Sequence, residues 1–174
     1  MTMQIDIRHA VPGDAAEVTA CVCHAFIDYI PIIGKQPQPM LDDYLRLINQ
    51  SMVYVAASDA KIVGVLVVGK TEEGFCIETL ATHPALQGCG IGKKLIGWAE
   101  ILAKQQQFKS IYLSTNSLMH KSQEIYKYLG FVEYDKCVVN GYDRIMMLKK
   151  YSDVVLIVVA QLRISSKRRA MTWA

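Results

Sequence analysis

Three glycines within five residues mark a sharp turn near the middle of the chain. The turn, residues 87–92, reads Gln-Gly-Cys-Gly-Ile-Gly and stands between a strand-like run at 75–82 and a helical run at 93–107. Glycine has no Cβ, so such a turn can bring backbone N–H groups directly against a ligand. The helix that follows adds unpaired first-turn donors and the positive end of its dipole. The turn therefore predicts a site for a phosphate or pyrophosphate.

The spacing of apolar residues switches between the two-residue period of strands and the 3.6-residue period of helices. We predict seven strands and four helices in the order β-α-α-β-β-β-α-β-α-β-β, with Gly130 ending the last helix and Asn140-Gly141 turning the last hairpin. The strands are predicted at 4–8, 52–57, 61–69, 75–82, 110–115, 131–139 and 142–149, and the helices at about 12–29, 41–48, 93–107 and 118–129. This order predicts an α/β fold with a central mixed sheet flanked by helices.

Length and composition bound the class of protein. At 174 residues and 52% hydrophobic, the chain is sized for one globular domain. The segment 151–174 holds four basic residues and one acidic residue and so accounts for the whole net charge of +3. The remaining 150 residues carry no net charge, which predicts no broad basic face for nucleic acid. The apolar run at 154–159 is too short to cross a membrane, and we expect no membrane partner.

The cysteines indicate a compartment. Their number, five, is odd, and their spacing matches no zinc site. Nothing before Ile5 has the basic-then-apolar build of a signal peptide. These features predict reduced thiols, no metal and a cytoplasmic location.

Two familiar phosphate motifs do not fit the glycine turn. A Walker P-loop has four residues between its first glycine and Gly-Lys, followed by Ser or Thr. Here only three residues separate Gly88 from Gly92-Lys93, and Lys94 follows. A dinucleotide fingerprint needs a third glycine where Lys93 stands, and its turn follows the first strand of the sheet, not the fourth.

A third motif fits. Gln-x-x-Gly-x-Gly, following Leu80-Ala81-Thr82-His83-Pro84, closely resembles the acetyl-CoA pyrophosphate loop of the GNAT superfamily of N-acetyltransferases. About forty residues downstream, the segment 126–131 is similar to that family's Tyr-x-x-x-Gly-Phe. The element order also agrees, and the resemblance covers about residues 4–150. It implies a GNAT domain over 1–150 and leaves 151–174 as an extension that forms an edge strand, an interface segment or a partly disordered basic tail.

The resemblance implies which residues bind acetyl-CoA. The main chain of the turn would bind the pyrophosphate, Gln87 would steady the turn, and strand residues before it would hold the pantetheine arm where the fourth and fifth strands separate. Relatives often have Arg or Lys at the position of Cys89, so Lys93 and Lys94 would have to compensate for that charge. The cofactor-binding residues predicted in this way are Leu80, Ala81, Thr82, Gln87, Gly88, Cys89, Gly90, Ile91, Gly92, Lys93 and Asn116.

Two residues are predicted to be catalytic. The resemblance places the Tyr126 hydroxyl near the CoA sulfur, where a phenol can protonate the departing thiolate. Strand alternation puts Glu78 on the same face as Leu80 and Thr82, where it would be either the general base or a carboxylate paired with a lysine. Ser114 offers no base, and His83 and His120 are better explained as surface or capping residues. Asn116 would bind CoA or cap the next helix.

The predicted function is transfer of the acetyl group of acetyl-CoA to a primary amine of a small molecule or protein. The alternative is a non-catalytic CoA-binding or sensing domain of the same fold. In this family the acceptor is chosen by the segments that correspond to 29–44 and 136–142, which offer Tyr29, Tyr44, Asp42, Asp43, Asp135 and the adjoining Asp143. These residues suit a cationic amine without identifying it, and they would serve equally well as a solvated surface. A homodimer is a further expectation.

Overall fold

A computed structural model describes residues 4–71 and 74–151. The strands are β1 Asp6–His9, β2 Val53–Ser58, β3 Lys61–Thr71, β4 Gly74–Thr82, β5 Ser110–Asn116, β6 Val132–Val139 and β7 Tyr142–Lys150. The helices are α1 Ala15–Phe26, α2 Ile30–Ile33, α3 Tyr44–Asn49, α4 Ile91–Gln105 and α5 His120–Tyr128, with 3-10 turns at Pro12–Asp14, Ile27–Tyr29, Gln38–Leu41 and Pro84–Leu86. The expectations for 151–174 concern residues that, apart from Tyr151, lie outside this description.

The strands form one seven-stranded sheet in the order β1-β2-β3-β4-β5-β7-β6. All neighbouring pairs are antiparallel except β4 and β5, which are parallel and joined through α4. The predicted mixed sheet and its element order are confirmed. The predicted first helix corresponds to α1 with the 3-10 turns at Pro12–Asp14 and Ile27–Tyr29, and the four-residue α2 after it was not predicted.

A hydrophobic core lies on each face of the sheet. On one face, α4 buries Ile91, Leu95 and Ile96 against strand residues such as Leu66, and Phe131 completes the cluster. On the other face, α1 and α3 pack on β2 and β3. The helical run Pro12–Ile33 is long and apolar enough, by length and composition, to cross a membrane. In the fold its buried side chains, Val18, Cys21, Val22 and Phe26, belong to this second core.

Local turn signals are realised in the backbone. Asn140 and Gly141 have φ values of 51° and 73°, the pattern of a two-residue turn between antiparallel strands. Gly130, with φ of 91°, follows the end of α5 in the left-handed conformation expected of a helix-ending glycine. Both predicted turns are confirmed.

Candidate active site

Strands β4 and β5 pair for only three residues and then separate. The pairing runs from Phe75 opposite Ile111 to Ile77 opposite Leu113. Beyond that point β4 stays paired with β3, and β5 stays paired with β7. A gap therefore opens in the middle of the sheet, as the resemblance implied.

One edge of the gap offers backbone hydrogen-bonding groups. The His83 N–H donates to the Val63 carbonyl at 3.0 Å. In an antiparallel ladder, main-chain groups point to alternate sides, so Ala81 also faces β3, while Leu80 and Thr82 turn theirs into the gap. Leu80 and Thr82 can therefore pair with an extended ligand, and Ala81 contributes its side chain to the core beneath.

The glycine turn closes one end of the gap. Gly88 and Gly90 have φ values of 83° and 81°, and a Cβ at either would meet nothing within 4 Å. These two glycines are thus required by backbone conformation and not by crowding. A Cβ on Gly92 would lie 3.6 Å from the Thr82 Oγ1, which shows how closely the turn approaches the end of β4.

Most N–H groups of the turn are available to a ligand. Within the described chain, no acceptor is found for the N–H groups of Gly88, Gly90, Ile91, Gly92 and Lys93. The N–H of Cys89 differs, because it donates to the Leu86 carbonyl at 3.3 Å. Cys89 is also exposed and does not line the cavity. The N–H of Cys89 is therefore not free for the predicted ligand, whereas the other five N–H groups are free to meet an anion.

Tyr126, on α5, faces the gap from the side of α4. Its ring packs edge-on against Phe131, with centroids 6.0 Å apart, and its carbonyl accepts the Phe131 N–H at 3.0 Å. The bend after α5 thus fixes the ring, which explains why the Gly-Phe pair follows the tyrosine at this spacing. Burial of the hydroxyl, with a smaller effect of Tyr29, raises the pKa of Tyr126 to about 12. The phenol is protonated at neutral pH.

Glu78 lies on the opposite face from the one predicted. A β-bulge interrupts β4. Val67 is opposite Thr79 and Val68 is opposite Ile77, so no residue of β3 is paired with Glu78. The alternation is therefore reset at Glu78. Leu80 packs on the α4 side, whereas the Glu78 carboxylate lies over Gly69 on the α1 side. The predicted shared face with Leu80 and Thr82 is wrong, although Glu78 still lines the cavity.

The environment of Glu78 favours its neutral form. Burial raises the pKa of this carboxyl group, the nearby Asp42 raises it further, and Arg46 acts in the opposite direction. No salt bridge to Glu78 is found among the described residues. The alternative interpretation, a carboxylate paired with a lysine, thus has no support in this part of the chain.

Asn116 ends β5 at the far side of the gap. Its side-chain oxygen accepts the Leu118 N–H at 2.9 Å, and its carbonyl accepts a hydrogen bond from Gln123 Nε2 at 3.2 Å. Asn116 therefore shapes the turn into α5, one of the two roles considered for it. His83 likewise accepts the Ala85 N–H within its own turn, at 3.4 Å. Across residues 4–71 and 74–151, no group of three or more His, Cys, Asp and Glu side chains could hold a metal ion.

A contact between two distant segments borders the cavity, which Tyr142 lines. Tyr142 Oη donates to the Gln36 carbonyl at 2.5 Å, and Lys35 Nζ donates to the Gly141 carbonyl at 2.6 Å. The Lys35 ammonium also lies 3.7 Å from the centre of the Tyr142 ring. We call these four residues, Lys35, Gln36, Gly141 and Tyr142, the clamp. It ties the segment before α3 to the β6–β7 hairpin.

Other residues in the predicted acceptor segments are structural. The Asp43 carboxylate accepts the Arg46 N–H at 3.0 Å and caps α3. Tyr44 is buried and donates to the Pro39 carbonyl at 2.7 Å. Asp143 lines a separate cavity near His120. Tyr29, by contrast, lines the main cavity.

One cavity of about 500 Å³ joins the turn, the gap and the space under the clamp. Twelve of the thirteen predicted site residues line it, and Cys89 is the exception. The sequence analysis missed Arg144, which also lines it. Alternation along β7 is the signal that would have found this residue, because the core side chains Ile145 and Met147 leave Arg144 and Met146 on the other face.

Comparison with known proteins agrees with this geometry. Residues 49–133 match the family model described as acetyltransferase (GNAT) domain. Over 103 residues the chain is 27% identical to the uncharacterized N-acetyltransferase YjgM of Escherichia coli K12, covering 56% of this chain and 62% of that protein. The chain thus spans less than two thirds of that relative.

Solved structures share the fold. The PaiA N-acetyltransferase of Thermoplasma acidophilum, solved with coenzyme A, superposes with a TM-score of 0.70 at 19% identity, covering 86% of this chain and all of that one. A chain of the NatC complex, bound to Gag peptide and CoA, gives a TM-score of 0.64 at 17% identity over 86% of this chain and all of that one. The family model thus identifies residues 49–133 as a GNAT acetyltransferase domain, and the solved structures share the fold of this chain.

Proposed function

We propose that this protein transfers the acetyl group of acetyl-CoA directly to a primary amine. The observation that carries the proposal is the continuity of one cavity, which runs from the glycine turn through the β4–β5 gap to the face that holds Glu78. An acyl-CoA needs an anion site, a strand edge for its extended arm and an opening where an amine can reach the thioester. The cavity provides all three in sequence.

Acetyl-CoA fits the donors at the turn and the gap. The free N–H groups from Gly88 to Lys93 suit a pyrophosphate, and the Lys93 side chain adds positive charge. The main-chain groups of Leu80 and Thr82 suit the amides of the pantetheine arm. Gln87 lies at the end of the gap next to the glycine turn, and Asn116 lies at the end of β5 on its far side. The coenzyme A bound in the structure of PaiA, a protein of the same fold, supports this choice of ligand.

The chemistry requires one proton to leave and one to arrive. A C–N bond forms, the C–S bond breaks, the amine loses a proton and the departing thiolate gains one. In our proposal Glu78 takes the proton from the amine, directly or through water, and Tyr126 donates to the sulfur. Because the pKa of Tyr126 is about 12 and that of a typical thiol about 8.5, Tyr126 stabilises the thiolate mainly by hydrogen bonding, and the thiolate then takes its proton from water.

Acetylation of an amine panel tests this function. The full chain would be incubated with acetyl-CoA and diamines, amino acids, amine-bearing antibiotics or short peptides, and both CoA release and the mass of the product would be measured. We expect stoichiometric CoA release and one added acetyl group on at least one class of amine. Binding of acetyl-CoA with no acetylated product across the panel would favour the non-catalytic CoA-binding domain instead.

The cell compartment and oligomeric state belong to the same proposal. All five cysteines lie in the described part of the chain and none of them forms a disulfide there, which supports a reducing, cytoplasmic location. A homodimer is proposed with it, and light scattering at several concentrations would measure the mass. The proposed acceptors include proteins as well as small molecules, because NatC, a protein of this fold, is bound to a peptide.

A further inference from the structure

Arg144 places a positive charge in the acceptor half of the cavity. It lies on β7, opposite Asn116 of β5 and Cys137 of β6. Its neighbour Ile145 points into the core on the α4 side, so Arg144 lies on the α1 side, under the clamp. The side chain is half-buried and lines the same cavity as Glu78 and Tyr126.

This guanidinium has no anionic partner in the part of the chain that is described. The cations Arg8, Lys136 and Lys149 each have a carboxylate within 4 Å, and Arg144 does not. Its recorded contact is with the Tyr142 ring, 5.3 Å away. Burial lowers the pKa of Arg144, and the carboxylate that counteracts this, Asp42, has only a small effect. A partly desolvated guanidinium without a counter-ion is unfavourable unless a ligand supplies one.

The two charges of the acceptor half are separated along the sheet. Glu78 follows the last β4–β5 pair, and Arg144 is two strands away and about two residues further along. At strand spacings of about 4.8 Å and rises of about 3.3 Å per residue, their Cα atoms would lie roughly 12 Å apart in an unbroken sheet, and the gap between β4 and β5 adds to that distance. Both side chains are long enough to shorten that distance. A small molecule with an ammonium group at one end and a carboxylate at the other would match both charges.

We propose that Arg144 binds a carboxylate of the acceptor, so that the acceptor is an amino acid or another small amine that carries a carboxylate. This inference rests on the proposed function, because it assigns the acceptor half of the same cavity. The planar guanidinium fork matches a carboxylate through two parallel hydrogen bonds. The clamp, which borders the cavity through the Tyr142 and Lys35 hydrogen bonds, favours a small acceptor over a folded protein.

Matched pairs of acceptors test the inference. Each pair consists of a common amino acid and the amine that its decarboxylation gives. Examples are phenylalanine with phenethylamine, lysine with cadaverine, and methionine with its decarboxylated amine. Both members would be titrated calorimetrically into the full chain saturated with CoA. Acetyl transfer to the same pairs would be measured separately. The variants are Arg144→Gln and Arg144→Lys, with Lys150→Gln as the control that removes a positive charge from the same strand outside the cavity.

We expect at least one amino acid to bind about 10- to 100-fold more tightly than its decarboxylated partner. Arg144→Gln should abolish that preference and Arg144→Lys should keep part of it, while Lys150→Gln should retain it. Equal binding of both members in every pair, or equal loss of both in Arg144→Gln, would overturn the inference. Because the titration needs no turnover, a preference for carboxylates without acetyl transfer would refute the proposed function and leave the role of Arg144 standing.

Discussion

Tyr126 and Glu78 each lie where burial opposes the charged form of the side chain, and each has a testable consequence. For Tyr126, we predict that Tyr126→Phe lowers kcat about 10- to 100-fold, because the departing thiolate loses its donor. The affinity for acetyl-CoA should hardly change, since the ring still packs on Phe131. Stopped assays of turnover and calorimetric titration measure the two quantities.

A matched control for the tyrosine is available on β6. Tyr134→Phe makes the same chemical change outside the cavity and should leave kcat within about twofold of wild type, as surface substitutions usually do. If Tyr126→Phe kept wild-type turnover in a folded protein, Tyr126 would have no catalytic part.

Glu78 should set the acidic limb of the pH profile. A general base works only when ionised, and burial raises the pKa of Glu78 above its ordinary value. Turnover should therefore fall, as the pH is lowered, at a higher pH than an ordinary glutamate would give. We predict that Glu78→Gln lowers kcat about 100-fold and removes this limb, as measured by kcat/KM from pH 5 to 9.

Asp42→Asn tests the same limb from a neighbouring residue. The negative charge of Asp42 contributes to the raised pKa of Glu78, so its removal should move the limb to lower pH. A limb that stays in place in both Glu78→Gln and Asp42→Asn would assign the ionisation to another group.

At the scale of elements, the start of α4 depends on a left-handed glycine. Gly90 is the N-cap residue of the helix, with φ of 81°, and Gly97 lies within the same helix. A Cβ has open space at both positions. We predict that Gly90→Ala destabilises the fold by about 1–2 kcal/mol and weakens acetyl-CoA binding. Gly97→Ala should stabilise it by about 0.5–1 kcal/mol.

Urea unfolding compares the two alanine variants under the same conditions. Opposite signs of the change in free energy of unfolding are expected, because only Gly90 needs a conformation that alanine adopts with strain. The same sign for both variants would contradict the assignment of Gly90 to the left-handed turn.

The clamp should act on the acceptor alone. Tyr142→Phe removes the hydrogen bond to the Gln36 carbonyl, worth about 1 kcal/mol, and should raise KM for the amine about fivefold while KM for acetyl-CoA is unchanged. Lys35→Met removes the second bond of the same contact. The effects of the two changes should be less than additive in the double variant, since either loss loosens the same segment. Strict additivity would show that the two bonds act independently.

At the scale of the whole molecule, local signals predicted most of the fold. Asn140-Gly141 and Gly130 have backbone conformations that their own chemistry favours, and both turns lie where the sequence indicated. The glycine turn could likewise be predicted from local sequence, because it depends only on its own glycines and on the helix that follows. The order of strands and helices followed from periodicity, and twelve predicted residues meet in one cavity because that order brings β4, α4 and α5 together.

Features that depend on pairing between distant segments were not predictable in this way. The bulge at Glu78 arises from the register of β4 against β3, so simple alternation placed its side chain on the wrong face. The Cys89 N–H is occupied by Leu86, a contact that no motif encodes. The clamp joins residues more than a hundred positions apart in sequence, as Lys35 and Gly141 show. Alternation along β7 indicates the face on which Arg144 lies, but only the structure shows that no carboxylate of the described residues pairs with it.

Calorimetric titration of the full chain with acetyl-CoA, CoA, ATP and NAD tests the central claim most directly. The anion site alone would accept any phosphate ligand, whereas the gap between β4 and β5 selects for the pantetheine arm. We predict saturable one-to-one binding of acetyl-CoA and CoA, and binding of ATP and NAD at least about 100-fold weaker, the factor that about 2.7 kcal/mol of arm contacts supplies. Equal affinity for all four ligands, or no binding of acetyl-CoA, would contradict the account.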